Sequence, residues 1–320
     1  MEFKDSYFEG EIREGFYVQP LIKRAWAAQL EVLREIEIIC KRHGIKYYAE
    51  WGTLLGAVRH KGYIPWDDDL DIGMMRRDFE RFRHYAPGEL PEGYCFLDIK
   101  TEGFDEQLVR IVNSDKIDLN VKFLEKFHDC PYAIGVDIFC MDNIPPNKEE
   151  EQIVLNLLAS ADSLGRQWDS TEIPEEEKWD DLRQIEELTG FHFDKERPVK
   201  KQLLQLSDKI SAMYWDDKDS EEVSFLFLLV TRPHYRLPVS CFESLIDMPF
   251  ENTMIPVPVG YDQVLKLRYG TNYIEPVRKW GTHDYPYFKD QIEILKNVLR
   301  ERGMELPERY DINSGEKETE

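Results

Sequence analysis

Four aspartates fall within five positions of Ile64-Pro65-Trp66-Asp67-Asp68-Asp69-Leu70-Asp71-Ile72-Gly73. Side chains of an extended strand alternate between faces, so Asp69 and Asp71 share one face while Leu70 and Ile72 turn towards a core. Two carboxylates side by side repel, which raises their pKa values or demands a counter-cation. A hard divalent metal with oxygen ligands meets that need and would grip the phosphates of a substrate. The first expectation is therefore metal-dependent phosphoryl or nucleotidyl chemistry. Asp67 and Asp68 admit a plainer reading, an acidic turn after Pro65 that caps a helix or faces water. Downstream, Asp137 sits in the apolar stretch Ile134-Gly135-Val136-Asp137-Ile138-Phe139 and is a candidate third ligand. Its competing reading is an edge-strand residue facing solvent.

These acids need a scaffold, and the surrounding sequence supplies one. Apolar residues recur at helical spacing over 19–43 (Leu21, Ile22, Trp26, Leu30, Leu33, Ile36, Ile39, Cys40), and Gly44 closes the pattern. The β-rich run 45–50 leads into Trp51-Gly52-Thr53-Leu54-Leu55-Gly56-Ala57-Val58-Arg59-His60, read as strand, tight glycine turn and short helix. A glycine there lets backbone N–H groups approach an anion, and the Thr53 hydroxyl can cap the helix or touch phosphate. Alternatively, Gly52 and Gly56 only permit close packing. A helix is expected at 76–82 and strands at 95–99 and 108–112, the latter carrying Arg110, which either reaches a phosphate, balances the acids or pairs with a surface carboxylate. From about 147 to 219 the chain turns acidic and helical, with Glu175-Glu176-Glu177 as a solvated loop or cap. Strand character returns at 224–230 and 250–258, a helix at 261–270, and the charged tail from 309 is expected to fray.

With 320 residues, 42% hydrophobic and 32% charged, the chain can bury a substantial core. A formal net charge of −22 argues against nucleic acid or an anionic membrane as a partner, whereas a small phosphorylated donor with a metal is compatible. No apolar run is long enough to span a membrane, and the N-terminus lacks a signal-peptide order, which gives a cytoplasmic expectation. The five cysteines are scattered without CxxC spacing and read as buried free thiols.

The string from Gly52 to Gly62, followed by Ile64 to Gly73, closely resembles the LicD family. The likeness continues through Val136-Asp137-Ile138-Phe139 and Ile255 to Gly270, spanning most of residues 25–285. Only the middle helical region and both ends lack it. It implies an α+β fold, a nucleotidyltransferase-like mixed sheet flanked by helices; with the composition of the chain this gives a catalytic core over 1–146, a helical insertion over 147–222, a completing C-terminal part over 223–308 and a tail over 309–320. The nucleotidyltransferase pattern of a Gly-Ser/Thr turn, Asp-x-Asp and a later strand Asp falls on Gly52-Thr53, Asp69 and Asp71, and Asp137. The spacing between turn and acids is longer here than in compact members, and alternation favours Asp69 and Asp71, with Asp67 on their face as a supporting acid.

The implied activity is transfer of phosphocholine or a related phospho-alcohol from a CDP-linked donor, CDP-choline foremost, to a hydroxyl of a cell-surface glycan or teichoic acid precursor, such as those of lipopolysaccharide or capsule. Fukutin-related proteins look like relatives using CDP-ribitol. CMP is released with Mg2+ as cofactor, or Mn2+ in its place, held by Asp69, Asp71 and Asp137. Asp137 is the favoured acceptor of the hydroxyl proton. Gly52, Thr53, Arg59, Lys61 and Arg110 are the expected donor-binding residues, with His60, Lys266, Arg268 and His283 as further phosphate candidates; the last three read better as surface charges. Tyr48, Trp51, Tyr63, Trp66, Trp280 and Tyr285 are available to cage a quaternary ammonium, though core packing explains most such aromatics equally well. The expected location is the cytoplasm, at the inner face of the membrane. The alternatives are a nucleotidyltransferase that releases pyrophosphate and a non-catalytic subunit of a glycan-assembly complex.

Overall fold

The computed structural model describes residues 1–277, 285–307 and 310. A hairpin of β1 (Glu11–Arg13) and β2 (Phe16–Val18) precedes α1 (Pro20–His43). Pro20 starts α1 where a missing N–H costs nothing, and Gly44 ends it in the left-handed region at φ 60. Its buried stripe includes Trp26, Leu30 and Ile36, each contributing roughly 1.5–3 kcal/mol on burial.

Next come β3 (Tyr48–Ala49), α2 (Trp51–Arg59), β4 (Asp71–Met75), α3 (Arg76–Glu89), β5 (Cys95–Leu97), β6 (Val109–Val112), α4 (Val121–Lys126) and β7 (Gly135–Asn143). These strands form the mixed sheet β3-β4-β7-β6-β5. Only the β4–β7 pair is parallel; β3–β4, β6–β7 and β5–β6 are antiparallel. β7 is therefore an inner strand, and the edge-strand reading of Asp137 is set aside. The sheet with its flanking helices is an α+β arrangement consistent with a nucleotidyltransferase-like core.

The chain then leaves the sheet for α5 (Lys148–Gln167), α6 (Glu175–Thr189) and α7 (Val199–Ser211). They enclose a second apolar cluster that includes Val154, Leu158, Leu182, Leu203 and Leu206. Glu175, Glu176 and Glu177 form the first turn of α6, where carboxylates oppose the positive end of the helix dipole. The strand expected over 224–230 is instead β8 (Glu222–Ser224), which pairs with β7, followed by the single-turn helix α8 (Leu226–Leu229). Leu226 and Leu229, three apart, both enter the second cluster, a spacing that a helical turn satisfies and a strand does not. β9 (Leu237–Pro238) pairs with β8; β10 (Leu245–Phe250) and β11 (Thr253–Pro258) make a hairpin; α9 (Tyr261–Tyr269) and α10 (Pro286–Glu301) follow. All five cysteines are free, and among the described residues no helix is long and apolar enough to cross a membrane. Trp280, His283 and the tail from 309, Tyr310 excepted, lie outside the described residues.

Candidate active site

Register brings the distant acids together. Asp71 pairs with Asp137 across β4 and β7, and Asp137 pairs with Arg110 across β7 and β6. Laterally paired residues project to the same face, so three strands present Asp71, Asp137 and Arg110 in one row. Arg110 donates to the Asp137 carboxylate from Nε at 2.5 Å and Nη2 at 2.7 Å, and from Nη1 to Glu106 at 3.1 Å. Of the readings open for Arg110, the structure displays two: it balances the acids at Asp137 and pairs with the surface carboxylate of Glu106.

The strand begins at Asp71 rather than Asp69, and residues 67–70 lead into it without regular structure. Leu70 and Ile72 are buried as alternation requires. Asp69 is exposed, Asp67 half-buried and Asp68 buried, so a solvated acidic turn does not describe this loop. Helix α1 pins its backbone: Trp26 Nε1 donates to the Asp67 carbonyl at 3.0 Å and Gln29 Nε2 to the Asp68 carbonyl at 2.9 Å. The Tyr285 hydroxyl adds a bond to the Pro65 carbonyl.

Like charges crowd the acids at the start of β4. Burial pushes the Asp71 carboxyl well above the usual carboxylate range, and the charges of Asp69, Asp137 and Asp67 push it further while Arg110 opposes them. Asp67, hydrogen-bonded to Asp69, is raised by burial and then by Asp69 and Asp68.

The Gly52-Thr53 pair buttresses these acids. The turn itself is made by Glu50 and Trp51: Glu50 caps α2 through the Trp51 N–H at 2.9 Å, and Trp51 adopts φ +44. Gly52 and Thr53 are already helical. Thr53 Oγ1 accepts from the Asp71 backbone N–H at 2.8 Å, so the hydroxyl read as a helix cap or phosphate contact anchors the acidic strand instead. A Cβ on Gly52 would lie 2.5 Å from Asp67 Oδ2, so only glycine lets the helix approach this closely. A Cβ on Gly56 would meet the Gly62 carbonyl oxygen at 2.3 Å, the close packing raised as its alternative role.

Other candidates sit elsewhere. Arg59 closes α2, about 10 Å of helix rise from Gly52, where its Nη1 donates to the Tyr273 carbonyl at 2.9 Å. His60 bonds Glu14, and Lys61 is exposed just beyond. Lys266 pairs with Asp262 at the surface, but Arg268 is no surface charge. Its side chain is 1% exposed, ion-paired with the fully buried Glu50 side chain and stacked 4.3 Å from the Trp51 ring centre. Tyr48, Tyr63, Trp66 and Tyr285 are buried in the main core, and Trp51 carries Arg268. The proposed cage therefore does not assemble from the described aromatics named for it, because core packing has claimed four and an internal cation the fifth. Sequence reading missed Trp26, Gln29 and Glu50; the signal was a polar Gln29 within the apolar stripe of α1 and a glutamate between Ala49 and Trp51.

Among the described residues no three His, Cys, Asp or Glu side chains converge closely enough to hold a metal ion as they stand. In kind, the donors suit a hard cation: carboxylate oxygens in excess, two of them with raised pKa values. In position, Asp137 faces Arg110.

Residues 44–132 match the family model described as LicD/FKTN/FKRP, nucleotidyltransferase domain. The lipopolysaccharide cholinephosphotransferase LicD of Haemophilus influenzae is 49% identical over 53 residues, 17% of this chain and 20% of that protein. An uncharacterized protein of Rickettsia typhi is 45% identical over 64 residues, 20% of this chain and 21% of its own. The ribitol 5-phosphate transferase FKRP of Mus musculus is 38% identical over 65 residues, 20% of this chain and 13% of that protein. The chain thus matches a quarter or less of the length of these relatives, and Asp137, α5–α7 and α9 lie outside the matched family segment.

Proposed function

We propose, from the match of residues 44–132 to the LicD/FKTN/FKRP nucleotidyltransferase model, that this chain is a LicD-type phospho-alcohol transferase that moves phosphocholine or a related group from a CDP-linked donor to a glycan hydroxyl, releasing CMP. The observation that carries the reading is the lateral row Asp71, Asp137 and Arg110, backed by Gly52 and Thr53.

Asp69, Asp71 and Asp137 would hold a hard divalent cation, Mg2+ or Mn2+, which would supply neutralisation of the donor diphosphate. Thr53 fixes the start of β4 through the Asp71 amide, so the carboxylate is aimed before substrate arrives. Arg110 holds Asp137, and its planar guanidinium also suits the oxygens of a donor phosphate. The acceptor oxygen bonds to the phosphorus that carries the alcohol. The bond from that phosphorus to the bridging oxygen breaks, its electron pair leaves with CMP, and the hydroxyl proton passes to a carboxylate of the row, Asp137 being the one beside the cleft. The glycan acceptor is a cell-surface precursor of the lipopolysaccharide, capsule or teichoic acid kind, met on the cytoplasmic side of the membrane.

The test is CMP release from CDP-choline, CDP-ethanolamine, CDP-ribitol and CDP-glycerol with Mg2+ and crude glycan acceptor. Release from one donor should fall about a thousandfold in Asp69→Ala and Asp71→Ala. Pyrophosphate from CTP, or no product from any donor, would overturn the reading.

A further inference from the structure

Arg268 projects from the last turn of α9, outside the matched family segment, and its side chain is buried against the first residues of α2. Taking two opposite charges out of water is costly, and replacing a buried ion pair with neutral residues of similar volume is often neutral for stability or better. The Arg268–Glu50 pair is also incompletely bonded. Among the described residues, Arg268 Nε, Glu50 Oε2 and Trp51 Nε1 are buried without a hydrogen-bond partner. A half-satisfied buried cluster of this kind is a poor stabiliser, so its use must be sought in what it touches.

It touches the scaffold of the acidic row. The Glu50 backbone N–H donates to the Asp71 carbonyl at 3.0 Å, while Thr53 Oγ1 accepts from the Asp71 N–H at 2.8 Å. Both peptide groups that flank the Asp71 Cα are therefore bonded to the first turn of α2, and a shift of that turn carries the Asp71 carboxylate with it. The turn does not hold itself, because Trp51 sits in the left-handed region at φ +44, which a bulky residue keeps only where its surroundings enforce it. Arg268 helps to enforce it. Its guanidinium lies 4.3 Å from the Trp51 ring centre and 5.4 Å from that of Phe225, itself stacked on Trp51 at 5.5 Å. The Trp51 ring also meets Phe139 edge-on at 6.0 Å. Phe139 follows Asp137 on the same face of β7 and pairs with Gly73 of β4. One buried cation thus reaches the strand of Asp71 through Glu50 and the strand of Asp137 through Trp51.

We propose that Arg268 is a positioning residue, which sets Asp71 against Asp137 for a divalent cation by fixing Glu50 and Trp51 at the start of α2. This role replaces both sequence readings of Arg268, a phosphate contact and a surface charge. It rests on the metal-dependent transfer proposed above and assigns the preorganisation of its acids to a helix from beyond the matched segment.

The test combines Arg268→Met with Glu50→Gln in one chain, so that both buried charges go together. Arg268→Lys is the conservative variant, and Asp142→Ala is a control destabilised at the other end of β7. Each is read for melting temperature, for Mn2+ binding by calorimetry without donor, and for kcat and KM of CMP release. The double variant should melt close to wild type, yet bind Mn2+ about tenfold more weakly and lose about a hundredfold in kcat at saturating Mn2+, with the donor KM little changed. Arg268→Lys should recover only part of the loss, because an ammonium lacks the planar group that meets Glu50 and the Trp51 ring together. Asp142→Ala should melt lower but, assayed where it is folded, bind Mn2+ and turn over as wild type does. Wild-type Mn2+ affinity and kcat in the double variant, or an equal loss of both in Asp142→Ala, would overturn the positioning role and leave the transferase reading intact. A double variant that does not fold would make the pair a structural staple and overturn the role as well. A wild type that binds Mn2+ and releases no CMP would overturn the transferase reading, with the Mn2+ comparison deciding the role of Arg268; a wild type that does neither would overturn both.

Discussion

Both ends of β7 carry an aspartate clamped by an arginine, and the two clusters differ in charge balance. At Asp142, Arg76 donates to the carboxylate at 2.6 and 2.9 Å and reaches Asp208 at 2.7 Å and Glu80 at 2.9 Å. Arg83 joins Asp208 at 2.8 Å and Asp98 at 3.4 Å, so two guanidiniums from α3 tie β7 to α7. Arg76 and Asp142 are each only 4% exposed. At Asp137, Arg110 pairs with Asp137 and Glu106, and Asp67, Asp69 and Asp71 crowd beside them. A paired buried charge is a structural device, whereas neighbouring carboxylates that repel one another are kept at a cost in stability. The same residue types on one strand thus serve two ends, and the like charges crowding Asp71 tell them apart.

The largest effect that would break this contrast is on stability. Asp142→Ala strands a buried guanidinium and should cost about 3–5 kcal/mol, read from the midpoint of urea unfolding. Asp71→Asn removes one member of a repelling set and should leave the midpoint unchanged or higher while CMP release collapses. Equal destabilisation by the two would make the acidic row a structural cluster like the other.

A second effect sharpens the contrast through pH. Burial outweighs the pull of Arg76 and pushes Asp142 up to about 6, while Asp208, held by Arg76 and Arg83 against its own burial, is pulled down. With a folded pKa above its ordinary value, Asp142 binds its proton more tightly in the native state. Its stabilising contribution is therefore complete below the ordinary value of 3.8 and is lost as pH rises through about 6. That loss is on the order of 3 kcal/mol. Asp208 acts in the opposite sense at lower pH, its contribution vanishing as pH falls below the ordinary carboxylate range. Urea midpoints taken at about pH 4 and about pH 6.5 should diverge less in Asp142→Asn than in wild type; parallel curves would remove the raised carboxyl from the explanation.

What the sequence made legible follows the range of the interaction. Alternation is a nearest-neighbour property, so Leu70 and Ile72 could be sent to one face and Asp71 to the other from ten residues alone. The helix over 19–43 carried its own stop at Gly44. The lateral meeting of Asp71 with Asp137 was legible only as two acidic strands, since register between strands is a tertiary fact. The pairing of Arg268 with Glu50 joins α9 to the cap of α2 and leaves no local trace, and an arginine at a helix end reads as solvated until something buries it. The aromatic candidates failed for the same reason: a tyrosine in a core and a tyrosine in a cage have the same sequence signature. Helix α8 was read as a strand because four apolar residues carry too few turns to show a period.

The smallest effect separates the two glycines of α2, which resemble each other in sequence and differ in what they touch. At Gly52 the atom in the way is the tip of the Asp67 side chain, which can rotate aside. At Gly56 it is the backbone carbonyl of Gly62, which also receives no slack from the bond its own N–H makes back to the Gly56 carbonyl. Alanine gains about 1 kcal/mol of helix propensity over glycine at either position. Gly52→Ala should then change stability by no more than about 1 kcal/mol while lowering CMP release about tenfold, because Asp67 is driven into Asp69 and the row is re-aimed. Gly56→Ala should lose about 1–3 kcal/mol through the forced backbone shift, with activity per folded molecule nearer to wild type. The comparison is read by melting each variant and assaying it at a temperature where both are folded; the reverse ranking would place the functional demand at Gly56 and leave the approach of α2 to the acids without a role.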